Sequence, residues 1–148
     1  MFQRIIQKLK KVKIKDVAQS AIGELSDEIE EMNRQQLWSG LDSSGNSLDP
    51  EYAESTIKRK KSKGQPTDRV TLKDSGQFHE SITAKALKGA IMITSNRKAG
   101  SYDLAQHLED VYGDKASLFG LTEDNREELK KKLIPIFQKQ ILNHVAKS

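Results

Sequence analysis

Two short runs, Ser81–Leu87 and Ala90–Ser95, are separated only by Lys88-Gly89. Both contain β-branched residues, Ile82 and Thr83 in the first and Ile91, Ile93 and Thr94 in the second, and such side chains pack well on a pleated surface. A two-residue connection containing glycine predicts an antiparallel hairpin, because the tight turn requires positive φ, which glycine adopts without a Cβ clash. This hairpin, about residues 81–95, is the firmest constraint on the fold.

Most of the remaining chain carries helical spacing. Residues 1–15 hold Arg4, Lys8, Lys10, Lys11, Lys13 and Lys15 and no acid, with Phe2, Ile5, Ile6, Leu9 and Val12 recurring at helical intervals. They read as a basic amphipathic N-terminal arm. At Asp16 the charge changes sign. Ile22, Leu25, Ile29 and Met32 fall three and four apart beside Glu24, Asp27, Glu28, Glu30 and Glu31, which predicts one helix from about Asp16 to Leu37 with an apolar and an acidic face. Ser39–Ser47 is rich in turn formers. Asp49 is placed to cap a helix from Pro50 to about Lys61, since proline at the first helical position loses nothing by lacking an N–H. That helix ends in Lys58-Arg59-Lys60-Lys61, before Gly64 and Pro66.

Val70-Thr71-Leu72 is strand-like, and Asp74-Ser75-Gly76 is a turn in which Asp74 or Ser75 caps the following helical turn. Tyr102–Tyr112 fits either a helix or a third strand at about 102–108. Thr122, followed by Glu123 and Asp124, is a good start for a C-terminal helix, because the hydroxyl accepts an N–H and the carboxylates suit the positive helix end. Leu129, Leu133, Phe137, Ile141 and Val145 recur every four residues, and Pro135 interrupts them with an expected kink or split. The reading is an α+β fold, a small antiparallel sheet packed with a long N-terminal helix and a kinked C-terminal helix. With 148 residues it forms a single domain, 1–148, with residues 1–15 as the arm.

There is no cysteine, so disulfides and thiolate metal sites are excluded. No apolar run approaches the ~20 residues of a membrane span, and the arm lacks the apolar block of a leader peptide. A protein made in the cytosol, without membrane, is expected. The net charge of +4 is mildly basic.

The catalytic and metal patterns are incomplete. Gly40–Ser47 follows the outline of a phosphate-binding loop, but Asn46 stands where the lysine must be. His79-Glu80 opens like a zinc-protease helix, but Thr83 stands at the position of the second histidine. Asp74, Ser75 and His79 are close in sequence, yet a nucleophile also needs a positioned base and an oxyanion site. No catalytic residue, cofactor or metal ligand is therefore assigned. The basic residues Arg4, Lys8, Lys10 and Lys11, and Lys58, Arg59, Lys60 and Lys61, are candidate contacts to a partner or to phosphate. They lack the interleaved aromatics of single-strand binders, which makes nucleic-acid binding a secondary reading.

Several stretches together resemble the phage virion-morphogenesis, or tail-completion, family. Leu48, Pro50 and Thr56 follow its leucine–proline–threonine helix start, and Lys58–Lys61 its lysine-rich segment. Leu72, Asp74, Ser75, Gly76 and Ser81 follow its turn into the sheet, with Ser75 where threonine is usual. Ala105, His107 and Gly113 are similar to a further alanine–histidine segment. Phe119, Gly120 and Leu121 with Thr122 are similar to the entry to its last helix, although Asp114–Ser117 replaces the usual basic, proline-containing lead-in. The resemblance runs from about Gly40 to the C-terminus. It implies a non-enzymatic virion protein of a phage or prophage, acting in tail completion or head–tail joining. It further implies assembly with itself, as in a ring, and with head, connector or tail proteins. The charge pattern adds that the basic arm docks on an acidic face such as Glu24–Glu31 of a neighbour, since opposite patches steer association.

Overall fold

The structure is a computed structural model that describes residues 2–10 and 13–147. Lys11 and Val12, and the side chains of Leu9 and Lys10, lie outside the described residues. The arm forms α1 (Phe2–Lys10). The single helix expected over Asp16–Leu37 is two, α2 (Ile14–Glu24) and α3 (Ser26–Trp38). The break has a local cause. Gly23 is a poor helix former, and the Ser26 hydroxyl donates to its carbonyl at 3.0 Å, competing for the acceptor that a continuous helix would offer to Asp27. Leu25, between the helices, is nevertheless buried, so the hydrophobic stripe runs unbroken across the joint.

The next helix, α4, spans Glu54–Ser62 and does not start at Pro50. The Asp49–Pro50 peptide is cis, and Ala53, with extended backbone, takes the N-cap position. Tertiary contacts set the path on both sides of Pro50. Leu48 is buried and donates its N–H to the Gly40 carbonyl at 2.8 Å. The Tyr52 hydroxyl accepts from the N–H groups of both Thr71 and Leu72, each at 3.0 Å. The same contact explains why Val70–Leu72 is not a strand. All three residues are buried in succession instead of alternating, a side chain replaces a neighbouring strand, and Leu72 takes φ +53°.

One helical turn, α5 (Gln77–Glu80), leads into β1 (Ile82–Leu87) and β2 (Ala90–Ser95). The hairpin is as expected, with Leu87 opposite Ala90 and Ile82 opposite Ser95. Lys88 and Gly89 both have positive φ, +53° and +76°, the signature of the mirror-image turn that matches strand twist. Ile82, Ala84, Ile91 and Ile93 face inward, while Thr83, Lys85, Met92 and Thr94 face out.

The strand allowed at 102–108 shrinks to two residues. β3 (Lys98–Ala99) pairs with β4 (Tyr102–Asp103) apart from the hairpin. Helix α6 (Leu104–Tyr112) then takes over, because the Asp103 carboxylate caps it by accepting from Gln106 N–H at 2.9 Å. Finally α7 (Glu123–Lys147) is continuous through Pro135, with no split. The lost hydrogen bond would fall at the Lys131 carbonyl; Lys131 and Pro135 are both exposed, so water can serve that group. Thr122 caps α7 as expected, its Oγ1 accepting from Asn125 N–H.

Helix α3 is the hub. Ile29 and Leu37 pack with Ile82 and Leu118, all four fully buried. Each such side chain contributes about 1.5–3 kcal/mol over its exposed state. Polar groups on α3 fix what lies against it. The wholly buried Asn33 donates to the carbonyls of Leu118 and Gly120, and Gln36 donates to Gly120 at 2.8 Å.

Candidate functional site

The stretches that carry the family resemblance meet in space. Lys60 is 3% exposed, its ammonium 4.9 Å above the Tyr52 ring, and it donates to the Lys73 carbonyl at 2.9 Å. Lys63 bonds Asp74 at 2.9 Å, and this hydrogen bond holds the Asp74 carboxyl below its ordinary range. Thr56, Leu72, Asp74, Ser75 and Gly76 line one cleft of about 350 Å³, closed by Leu104, Leu108 and Tyr112. Gly76 takes φ +92° at the turn, and Ser75 Oγ accepts weakly from Gln77 N–H at 3.4 Å. Ser81 donates to the Phe78 carbonyl at 2.6 Å and pairs with Ser95 across the hairpin. Phe119 meets Phe78 edge to face, centroids 6.2 Å apart. A Cβ on Gly120 would lie 2.9 Å from the Ser43 Cβ, so only glycine fits there unless the loop moves. Leu48 and Leu121 are core residues; Pro50 is exposed.

The residues considered for chemistry are held in other roles. Asp42, 2% exposed, accepts from the N–H groups of Ser44 and Asn46 and from the Asn46 amide, so the loop that mimics a phosphate cradle is closed on its own carboxylate. His79 is buried, its Nε2 2.7 Å from the Thr71 carbonyl. Burial pushes its imidazole below the ordinary value, against the opposing effect of that hydrogen bond. Helix α5 ends at Glu80, so Thr83 lies on the outer face of β1 and not one helical turn from His79. Among the described residues no three His, Asp or Glu side chains gather as a metal site, and no helix is long and apolar enough to cross a membrane.

The basic candidates divide. Lys58, Arg59 and Lys61 are exposed on α4, whereas Lys60 is spent inside the fold. Arg4 is exposed on α1, and Lys8 donates to the Val145 carbonyl at 3.1 Å, tying α1 to the end of α7. Lys11 and the Lys10 side chain lie outside the described residues. The acidic face expected to receive a neighbour's arm is largely engaged by its own chain. Gln140 donates to Glu24 at 2.9 Å, Lys132 to Glu28 at 2.6 Å, and Arg34 bridges Glu30 and Glu31.

Sequence reasoning did not find what covers the hairpin's first edge. Glu30 accepts from Ala84 N–H at 3.1 Å, and Arg34 donates to the carbonyls of Ile82 at 3.0 Å and His79 at 2.8 Å. The Glu30–Arg34 spacing of four was the available signal. It also did not find which apolar side chains stay exposed. The hairpin tip at Gly89 lies against Lys15 on α2, and α1 lies on the end of α7. Phe2, Ile5 and Ile6 on α1, Ile14 on α2, Leu87 on β1 and Leu142 on α7 are between 42% and 82% exposed.

No family model, curated protein or solved structure matches the chain.

Proposed function

We propose that the chain is a structural, non-enzymatic protein of a tailed-phage or prophage virion. On this reading it acts in tail completion or head–tail joining, by associating with itself and with neighbouring head, connector or tail proteins. The observation that carries the reading is the convergence around α3 and one cleft of stretches far apart in sequence, Leu48–Lys63, Leu72–Ser81 and Phe119–Leu121. Residues that resemble a family's motif in three places and then pack on one another favour a shared architecture over three chance matches. Their roles are turns, caps and covered backbone groups, which suits a part that must keep its shape against neighbours. Exposed apolar side chains on α1, and Ile14, Leu87 and Leu142, offer surface for such contacts. The protein would be made in the host cytoplasm and carried in the particle.

The test is deletion of the gene from the parent phage or prophage, induction, and electron microscopy of the products. Filled heads beside separate or misfinished tails, rescued by supplying the protein, are the expected result. Normal infectious particles would overturn the reading and turn attention to nucleic acid, starting with salt-dependent DNA retention by Lys58, Arg59 and Lys61.

A further inference from the structure

The two edges of the hairpin differ. With a two-residue turn, Leu87 and Ala90 form the hydrogen-bonded pair next to the turn, and pairs then alternate along the ladder. Ala84–Ile93 and Ala86–Ile91 are therefore pairs whose backbone groups point away from each other. The contacts on β1 agree with this phase, since Ala84 N–H and the Ile82 carbonyl point outward to Glu30 and Arg34. On β2 the corresponding outward groups belong to Ile91 and Ile93. No bond to them occurs among the described residues, and the main packing partner of β2 is β1.

We infer that the open edge of β2 pairs antiparallel with β2 of a second copy, about a two-fold axis at Met92, giving a four-stranded sheet. This deepens the self-association in the reading above and rests on that part of it alone. Three observations select a second copy as the occupant. First, the register is self-complementary. Centring on Met92 sets Ile91 opposite Ile93 of the other copy and Ile93 opposite its Ile91, so the outward N–H and C=O groups of both residues find each other. Second, nothing in the strand opposes this. Exposed edges are commonly protected by charge, proline or a bulge, and Ala90-Ile91-Met92-Ile93-Thr94-Ser95 contains no charge and no proline and pairs with β1 without a bulge. Third, the end of β2 that runs into Arg97 and Lys98 also carries carboxylates that a basic turn can meet. Antiparallel pairing brings the turn bearing Lys88 of one copy to the far end of β2 in the other. The groove there is lined by Thr94, Ser95, Gln106 and the carboxylates of Asp103 and Glu109.

The arrangement makes a sharp prediction at Met92. This residue is 39% exposed on the outer face, and on the axis it lies opposite itself. Met92→Glu sets like charges against each other across the axis, yet within its own hairpin the new carboxylate meets Lys85, so folding is preserved. Sedimentation of the purified full chain should give twice the 16.7 kDa chain mass for wild type and the single mass for Met92→Glu. Mixing Met92→Glu with Met92→Lys in equal amounts should restore the double mass. The chain has no cysteine, so Met92→Cys provides a second readout. It should form a disulfide dimer on mild oxidation, while Thr83→Cys on β1, about 20 Å from its counterpart (three strand spacings across and four residues along), should not.

A wild-type chain that sediments as a monomer would overturn the pairing and leave the edge to a strand from another protein. So would an oligomer that Met92→Glu does not disturb, or equal crosslinking of the two cysteine variants. Particle morphology after gene deletion reports on the virion role separately: defective particles with a monomeric wild-type chain would reject the pairing alone.

Discussion

Asn33, wholly buried on α3, donates its side-chain amide to the carbonyl of Gly120, 2.8 Å away and 87 residues further along the chain. The same amide reaches the Leu118 carbonyl at 3.0 Å. One side chain thus anchors the entry to α7 on the helix that carries the core. Asn33→Ala removes both bonds and strands the Leu118 carbonyl, while Gly120 keeps its bond from Gln36. At roughly 1–3 kcal/mol for one buried group left unmet, it should cost about 1–3 kcal/mol, read from the midpoint of urea unfolding. A variant as stable as wild type would mean that the Leu118–Gly120 turn finds other donors.

Tyr52 should behave similarly. Its hydroxyl is the acceptor for two consecutive N–H groups, those of Thr71 and Leu72. Tyr52→Phe keeps the ring beneath the Lys60 ammonium but removes that acceptor. A loss of about 1–3 kcal/mol is expected. Hydrogen exchange at Thr71 and Leu72 should accelerate more than exchange in the hairpin; uniform acceleration would count against a local role.

His79 predicts how stability depends on pH. Burial depresses its folded-state pKa below the ordinary 6.5. The unfolded chain therefore takes up a proton more readily than the folded one. Stability from this group is complete above pH 6.5 and falls as pH drops from there towards the folded value. His79→Gln, with a neutral amide facing the Thr71 carbonyl, should flatten that part of the stability profile. An unchanged slope in the variant would assign the effect to other groups.

The hairpin turn offers a gain. Lys88 holds φ +53° without being glycine, a region that costs most residues roughly 1–2 kcal/mol but that asparagine visits readily. Lys88→Asn should raise stability by about 0.5–1 kcal/mol, and Gly89→Ala, at φ +76°, should lower it by about 1–2 kcal/mol. Thermal melts of the two variants shifting in the same direction would contradict the turn assignment.

What could be read in the sequence was what is decided by neighbours along the chain. The Lys88-Gly89 turn, the Thr122 cap and the Asp74–Gly76 turn are all fixed within a few residues. The failures came where distant groups decide. Nothing near Pro50 announces that Tyr52 will be drawn to Thr71, and strand-like Val70–Leu72 is served by a phenol instead of a ladder. The break at Leu25 was local but weak, a glycine and a serine within a periodic stripe that stays in phase. The lysine run at 58–61 looked uniform, yet helical spacing turns Lys60 inward while its neighbours remain in water.

The coverage of β1 by Glu30 and Arg34 has a consequence for stoichiometry. A sheet with two open edges can add chains without limit, as fibres do. Here the start of one edge, at Ile82 and Ala84, is taken by two side chains of the same molecule. In a pair joined through β2, both flanks would carry Glu30 and Arg34 on the β1 edge, which hinders a third strand there. Concentrating the protein would therefore favour discrete pairs over open-ended growth of the sheet.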